Sequence, residues 1–252
     1  NTANGDSALH RNTIGYSNVA MGSSALYKNT DRNNLVAIGD SALYNNGTGA
    51  VAFFEGSYNS AVGSKALFNN TTGSSNTAIG FEALYDNTSG YYNTANGYHA
   101  LRANKTGLYN AANGAGALKY NISGQSNTAN GFFALNANTR GNGNTATGYY
   151  ALLFDTTGSN NTATGNQALS SNSNGDNNTA NGYSAMQNNR TGSRNTAIGS
   201  YALRSNQTGN YNIAIGDSAL YNNGAGTNNV TVGAKAGNSS GNDNGYYNTY
   251  IG

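Results

Sequence analysis

Ala and Leu return at fixed intervals along this chain, set in a background of Asn, Thr, Ser and Gly. The stretch NTAIGFEALYDNTSGYY, residues 76–92, is followed at once by NTANGYHALRANKTGLY, residues 93–109. The Gly closing each N-T-A-x-G falls at Gly5, Gly22, Gly39, Gly63, Gly80 and so on to Gly233 and Gly252. The spacing is 17 residues, apart from one step of 24 after Gly39 and one of 19 after Gly233. The unit is N-T-A-x-G-x-x-A-L-x-x-N-x-x-G-x-x, and its positions are numbered 1 to 17 below. Helical repeats are longer, and Asn, Gly and Thr form helices poorly. A leucine-rich repeat needs several Leu per unit, and this unit has one. The pattern therefore predicts one coil of a parallel β-solenoid: two short strands, N-T-A-x-G and x-A-L-x, joined by polar turns. Coils stacked at about 4.8 Å would make a rod roughly 70 Å long.

The columns of the repeat carry the physical argument. Ala recurs at position 3 (Ala78, Ala95, Ala112, Ala129, Ala146) and at position 8 (Ala83, Ala100, Ala117, Ala134, Ala151). Two facing ladders of Ala predict a thin roll that admits only small side chains, because close-packed interiors penalise added volume. Gly at positions 5 and 15 suits corners with positive φ. Asn at positions 1 and 12 (Asn76, Asn93, Asn110; Asn87, Asn104, Asn121) tolerates the left-handed region and, stacked on itself, can form an amide ladder.

Strand side chains alternate, so inward Ala at position 3 turns positions 2 and 4 outward. Position 4 reads Met21, Ile38, Val62 and Ile79, then turns polar from Asn96 to Asn181, and is apolar again at Ile198, Ile215, Val232 and Ile251. Position 9 is Leu in nearly every coil, with Met186 once. Leu outside a thin roll needs cover, and an apolar column of this length exceeds what monomers leave exposed. The expected cover is a homo-oligomer of parallel chains, with Ile38, Val62, Ile79, Ile198, Ile215 and Val232 as its candidate face. The alternative places Leu inside the roll and leaves a mildly apolar surface.

Composition narrows the function classes. The chain has 252 residues, 35 of them Gly, with no Pro, Cys or Trp, and only 9% are charged. The regular Ala and Leu argue against the disorder that such polarity would otherwise suggest. Net charge is +2 and scattered, with no basic stripe for nucleic acid. Without Cys there are no disulfides, thiolate metal sites or Cys nucleophiles, and no apolar run reaches membrane-spanning length. Residues 1–252 read as a single β-roll repeat domain that begins and ends inside the motif, as a segment of a longer polypeptide would. Two irregularities interrupt it. Residues 50–58, AVAFFEGSY, read as a truncated coil whose second strand is deleted, with Phe53 and Phe54 where small residues belong. The terminal coil, 234–252, is irregular, and Thr231 and Tyr250 replace the inward Ala at the C-terminal edge.

Outward aromatics are the main candidate binding residues. Positions 6 and 7 hold Phe81, Tyr98, Phe132, Phe133, Tyr149, Tyr150, Tyr183 and Tyr201; position 10 holds Tyr27, Tyr44, Phe68, Tyr85 and Tyr221. Stacking would align them as stripes, either engaging carbohydrate or a host-surface protein or acting as cross-strand ladders that stabilise the sheet. His10 and His99 lie on different columns, which excludes a triad or a metal pair between them. Glu82 and Asp86 can approach one another but nothing marks them as catalytic. No enzyme activity, cofactor or metal is expected. The sequons, Asn70 and Asn87 among them, arise from the recurring turn.

Units such as NVAMG (18–22), LVAIG (35–39) and NTAIG (195–199), each followed by A-L, resemble the repeats of trimeric autotransporter adhesin heads (YadA-like heads) and of related phage-type tail-fibre proteins. The resemblance covers essentially the whole chain. It implies a left-handed parallel β-roll, three chains side by side, on a cell surface or virion fibre. The 17-residue unit is longer than the usual head repeat, and neck and anchor parts are absent from the 252 residues. The expected function is a non-enzymatic extracellular structural or adhesive rod. A self-assembling filament or matrix subunit is the alternative. An ice-binding solenoid, suggested by the Thr row at position 2, stands behind both, since that row is one column wide and an oligomer would cover it.

Overall fold

A computed structural model describes residues 1–238 and 245–252. The described chain is all-β, with no helix, and it divides into two compact units, 1–126 and 127–252. Unit 1 holds β1 (Thr2–Asn4), β2 (Val19–Met21), β3 (Val36–Ile38), β4 (Ser60–Val62), β5 (Thr77–Ile79), β6 (Thr94–Asn96) and β7 (Ala111–Asn113). Unit 2 holds β8 (Thr128–Asn130), β9 (Thr145–Thr147), β10 (Thr162–Thr164), β11 (Thr179–Asn181), β12 (Thr196–Ile198), β13 (Ile213–Ile215), β14 (Val230–Val232) and β15 (Thr249–Ile251). Within each unit, successive strands pair in parallel and like positions meet, as in Ala78↔Ala95 and Ala163↔Ala180. The predicted β-solenoid of 17-residue coils is therefore the observed fold. The part of the irregular terminal coil at 239–244 lies outside the described residues.

Each coil has one strand, not the two expected. The A-L segment is a turn in which residues at positions 7 and 9 take positive φ, for example Glu82 at 52° and Leu84 at 52°. It still bonds to the neighbouring coil, with the Leu84 amide donating to the Ala100 carbonyl at 3.0 Å. Positive φ at Leu abolishes the strand alternation, so Ala83 and Leu84 both point inward and both are fully buried. The expectation that Leu lies outside is thus corrected: from Leu26 to Leu220 this column fills the roll. An αL residue with a Cβ costs about 1–2 kcal/mol. Burying a Leu side chain returns about 1.5–3 kcal/mol, enough to hold the conformation.

Two amides per coil complete the interior. Asn87 Nδ2 donates to Asn70 Oδ1 in the preceding coil (2.8 Å) and to the Gly90 carbonyl of its own (3.0 Å). Asn76 Nδ2, from the start of the same coil, donates to that carbonyl at 2.9 Å, so one oxygen ties the coil's two ends together. The Asn76 backbone N–H in turn donates to Asn59 Oδ1 at 2.9 Å, and Asn76 Nδ2 does so at 3.2 Å. Both columns are buried and neither has positive φ, so Asn serves there as a ladder and not as a left-handed turn residue. The two Gly columns share a close approach to the next coil but differ in backbone conformation. Gly80 has φ +130° as expected, whereas Gly90 is required because a Cβ there would lie 2.4 Å from Asn87 Oδ1 and 2.5 Å from the Gly107 carbonyl oxygen.

The 47–58 segment is not a truncated coil. It is an insertion in the turn after Asn46, without a strand, and the coil resumes at Asn59. Arg32, standing where most coils have Gly, is buried and donates from Nη1 to Ala52 O (2.8 Å) and from Nη2 to Ala50 O (3.0 Å). Holding these carbonyls inward turns Val51, Phe53 and Phe54 out to solvent instead of into the roll.

Leu101→Ala should cost about 2–5 kcal/mol through the cavity it leaves. Solenoid coils depend mainly on their neighbours, so hydrogen exchange should show lost protection in the coils around residues 84–118. Ala100→Leu should also destabilise, by about 1–3 kcal/mol, through overpacking.

Candidate functional site

Within each unit the outward strand positions form one surface. In unit 1, Met21, Ile38, Val62 and Ile79 stand in register on β2–β5 with 37–44% of their surface exposed. In unit 2, Ile198, Ile215 and Val232 do the same on β12–β14 at 39–41%. Polar rungs occupy β6–β7 of the first unit and β8–β11 of the second. The candidate oligomer residues therefore point out as expected. With Leu inside the roll, the apolar strand face to be covered consists of these rows together with their position-2 neighbours Val19 and Val36 in unit 1 and Ile213 and Val230 in unit 2.

The aromatic stripes are present as inter-coil contacts. Phe81 stacks on Tyr98 with centroids 5.7 Å apart and planes within 12°; Phe132 stacks on Tyr149 at 5.5 Å and 9°. Phe133 packs edgewise on Phe132, Tyr150 lies tilted at 33° against Tyr149, and Tyr183 meets Tyr201 edge to face at 5.2 Å. At position 10, His10, Tyr27, Tyr44, Phe68 and Tyr85 form one continuous stack at 5.1–5.2 Å, half-buried after the exposed His10. Arg102 lies 5.1 Å over the last ring. Rings stacked on the next coil turn one face to each other, which is the geometry of a ladder. Sequence reasoning missed a further cluster at positions 16 and 17, where Tyr92 stacks on Tyr109 at 5.5 Å and Tyr91 meets both edge-on. Its signal is the Tyr at Tyr91, Tyr92 and Tyr109 in the turn that closes each coil.

The titratable groups gather in one place in unit 1. Glu82 Oε2 lies 3.1 Å from His99 Nε2 and accepts from Arg102 Nε at 2.6 Å, and Arg102 also reaches Asp86 at 3.8 Å. Burial acts to raise the Glu82 carboxyl, but Arg102, His99 and Lys65 together hold it below the usual carboxylate range. Burial, with smaller contributions from Lys119 and Arg102, lowers His99 against the pull of Glu82 and so favours the neutral imidazole, which can donate to Glu82. Glu82 and Asp86 are thus joined through Arg102. Among the described residues, no group of three or more His, Cys, Asp and Glu is placed to hold a metal. The sequon residues Asn70 and Asn87 are buried ladder members, inaccessible to glycosylation in the folded chain.

One buried acid interrupts the amide ladder of unit 2. Asp155 stands at position 12, where the coils on either side have Asn138 and Asn172. It is fully buried, accepts from the Gly158 amide at 2.8 Å and from Asn161 Nδ2 at 3.2 Å, and lacks the NH₂ with which Asn bonds the preceding coil. Burial pushes its carboxyl up to about 7, against the pull of Gly158, Asn172 and Asn161 and with a small contribution from Asp176.

A folded-state value above the unfolded one means that the folded chain holds the proton more tightly. This stabilisation is complete below about pH 4, declines as pH rises from about 4 to about 7, and is lost above that. Asp155→Asn should therefore raise stability at pH 8 by roughly 3–4 kcal/mol and have little effect at pH 4; denaturation at the two pH values measures this. Comparison with protein-family models, curated proteins and solved structures gives no match to this chain.

Proposed function

We propose that the chain is a non-enzymatic structural and adhesive segment that works outside the cell, on a cell surface or a virion fibre, as a side-by-side homo-oligomer with a trimer favoured. The observation that carries this reading is the pair of in-register apolar rows, Ile38–Val62–Ile79 and Ile198–Ile215–Val232, left exposed on a single chain. Rows of apolar side chains on a parallel sheet can pack against the same rows on a second copy, and isologous or cyclic association would remove them from water. Each exposed row is modest, so the oligomer needs both to contribute. Resemblance of the repeat to adhesin-head and tail-fibre units supports the same reading. Attachment to carbohydrate or to a host-surface protein would use what the oligomer leaves uncovered, including the Tyr91–Tyr92–Tyr109 cluster and the edges of the ring ladders.

Sedimentation at micromolar concentration should give a trimer. Ile79→Lys combined with Ile215→Lys should shift it to monomer, because lysines in register would bring like charges together in a desolvated contact. A strict monomer for the wild type defeats the oligomer. Fibres growing with concentration in electron micrographs would favour the filament alternative.

A further inference from the structure

The outward side of the strands carries no ionisable residue at any rung, although charges occur at several other positions of the coil. In unit 2 this neutral surface is also the most regular. Strands β8–β11 present Thr128, Thr145, Thr162 and Thr179 in one row and Asn130, Thr147, Thr164 and Asn181 in the other. Every rung is aligned with the next, as Thr145↔Thr162↔Thr179 and Thr147↔Thr164↔Asn181. A single Thr row is what position 2 suggests by itself. Because both neighbours of a buried strand Ala point outward, the face is two rows wide. The rows repeat about every 4.8 Å along the stack and lie about 7 Å apart across a strand.

Such a lattice selects its partner by geometry. Thr is β-branched and stiff at χ1, so its hydroxyl and methyl are restricted before any ligand arrives, and little side-chain entropy remains to be lost on binding. The surface is neutral, so it does not recognise phosphates, nucleic acid or charged lipid. Its rungs carry no aromatic side chain, and the neighbouring rings Phe132 and Tyr149 each have one face taken up by the other. A single hydroxyl–water hydrogen bond has little net value because bulk water offers the same. The face gains only from a partner that repeats in two dimensions and meets many rungs at once. Ordered water at a crystal surface has these properties: it is neutral, donates and accepts throughout, and has oxygen repeats of the same order as the two row spacings.

We propose that the Thr/Asn rungs of β8–β11 form an ice-binding face. These rungs run on in register into the apolar row of β12–β14, with Asn181 paired to Ile198, so the face meets ice where self-association through Ile198, Ile215 and Val232 leaves β8–β11 uncovered.

The test is thermal hysteresis of the purified chain, together with partition of fluorescently labelled protein into a growing ice hemisphere. Wild type should halt growth within a measurable gap, facet the crystals and enter the ice. Thr147→Lys with Thr164→Lys should abolish all three, since two protruding charges break contact across the rungs. Gln207→Lys, an exposed change elsewhere on a coil, should leave them intact, and circular dichroism should show the fold unchanged in both variants. If the double variant fails to fold, Thr147→Val with Thr164→Val replaces it and should reduce the gap. No hysteresis and no partition for wild type overturns the proposal, as does equal activity in the disrupted face. Binding to crystalline cellulose or chitin through the same residues, without any effect on ice, would also overturn it and assign the face to a polysaccharide.

Discussion

Register between coils is the constraint on which everything else depends. A buried amide accepts from above and donates below, so two columns of Asn satisfy themselves only while each coil sits directly on the next. Asn70, Asn87 and Asn104 show the pattern, with each Nδ2 donating to the preceding Oδ1 at 2.8 Å. A slip by one residue would leave several buried polar groups without partners in every coil, at about 1–3 kcal/mol each. The Gly90 carbonyl, bonded by Asn76 and Asn87 together, couples this vertical register to closure of the individual coil. Asp155 marks the limit of the arrangement. A carboxylate has the shape of the amide but not its donor, and it completes the column only when it carries a proton.

The interior is thin because three small or medium side chains and two amides fill it. Ala at positions 3 and 8 lets the two faces of the roll approach, and Leu at position 9 occupies the remaining space by adopting a backbone conformation that Leu seldom takes. Strain at each Leu is offset by its own burial, so the fold carries the same local compromise in almost every coil. Repetition makes the compromise cooperative, since the Leu84 amide bonds a carbonyl that belongs to the next coil.

Outside, the same register converts any repeated residue into a row. The rows differ in chemistry: apolar on β2–β5 and β12–β14, neutral and hydroxylated on β8–β11, aromatic at positions 6, 7 and 10. Most charge–charge contacts stay local, as with Arg102 between Glu82 and Asp86. Such a surface suits extended, repetitive contacts with another copy, a fibre or a lattice better than it suits a small ligand in a pocket. The insertion at 47–58 is the departure from this rule, and it survives because buried Arg32 satisfies its carbonyls.

The 17-residue period, the parallel solenoid, the inward Ala columns, the Asn ladders and the outward placement of Ile38, Ile79, Ile198 and Ile215 were all legible in the amino-acid order. Each follows from like residues meeting like, a condition that periodicity alone imposes. The aromatic stripes were legible for the same reason, though not the facing of their rings, which depends on rotamers chosen against neighbours. What needed the tertiary structure was the path of the chain through A-L. Alternation in an ideal strand sends Leu84 outward, and only packing of the whole coil shows that a positive φ sends it in. Sequence patterns report which positions are equivalent from coil to coil. They do not report φ, and at Leu the sign of φ decides which side of the wall the side chain occupies.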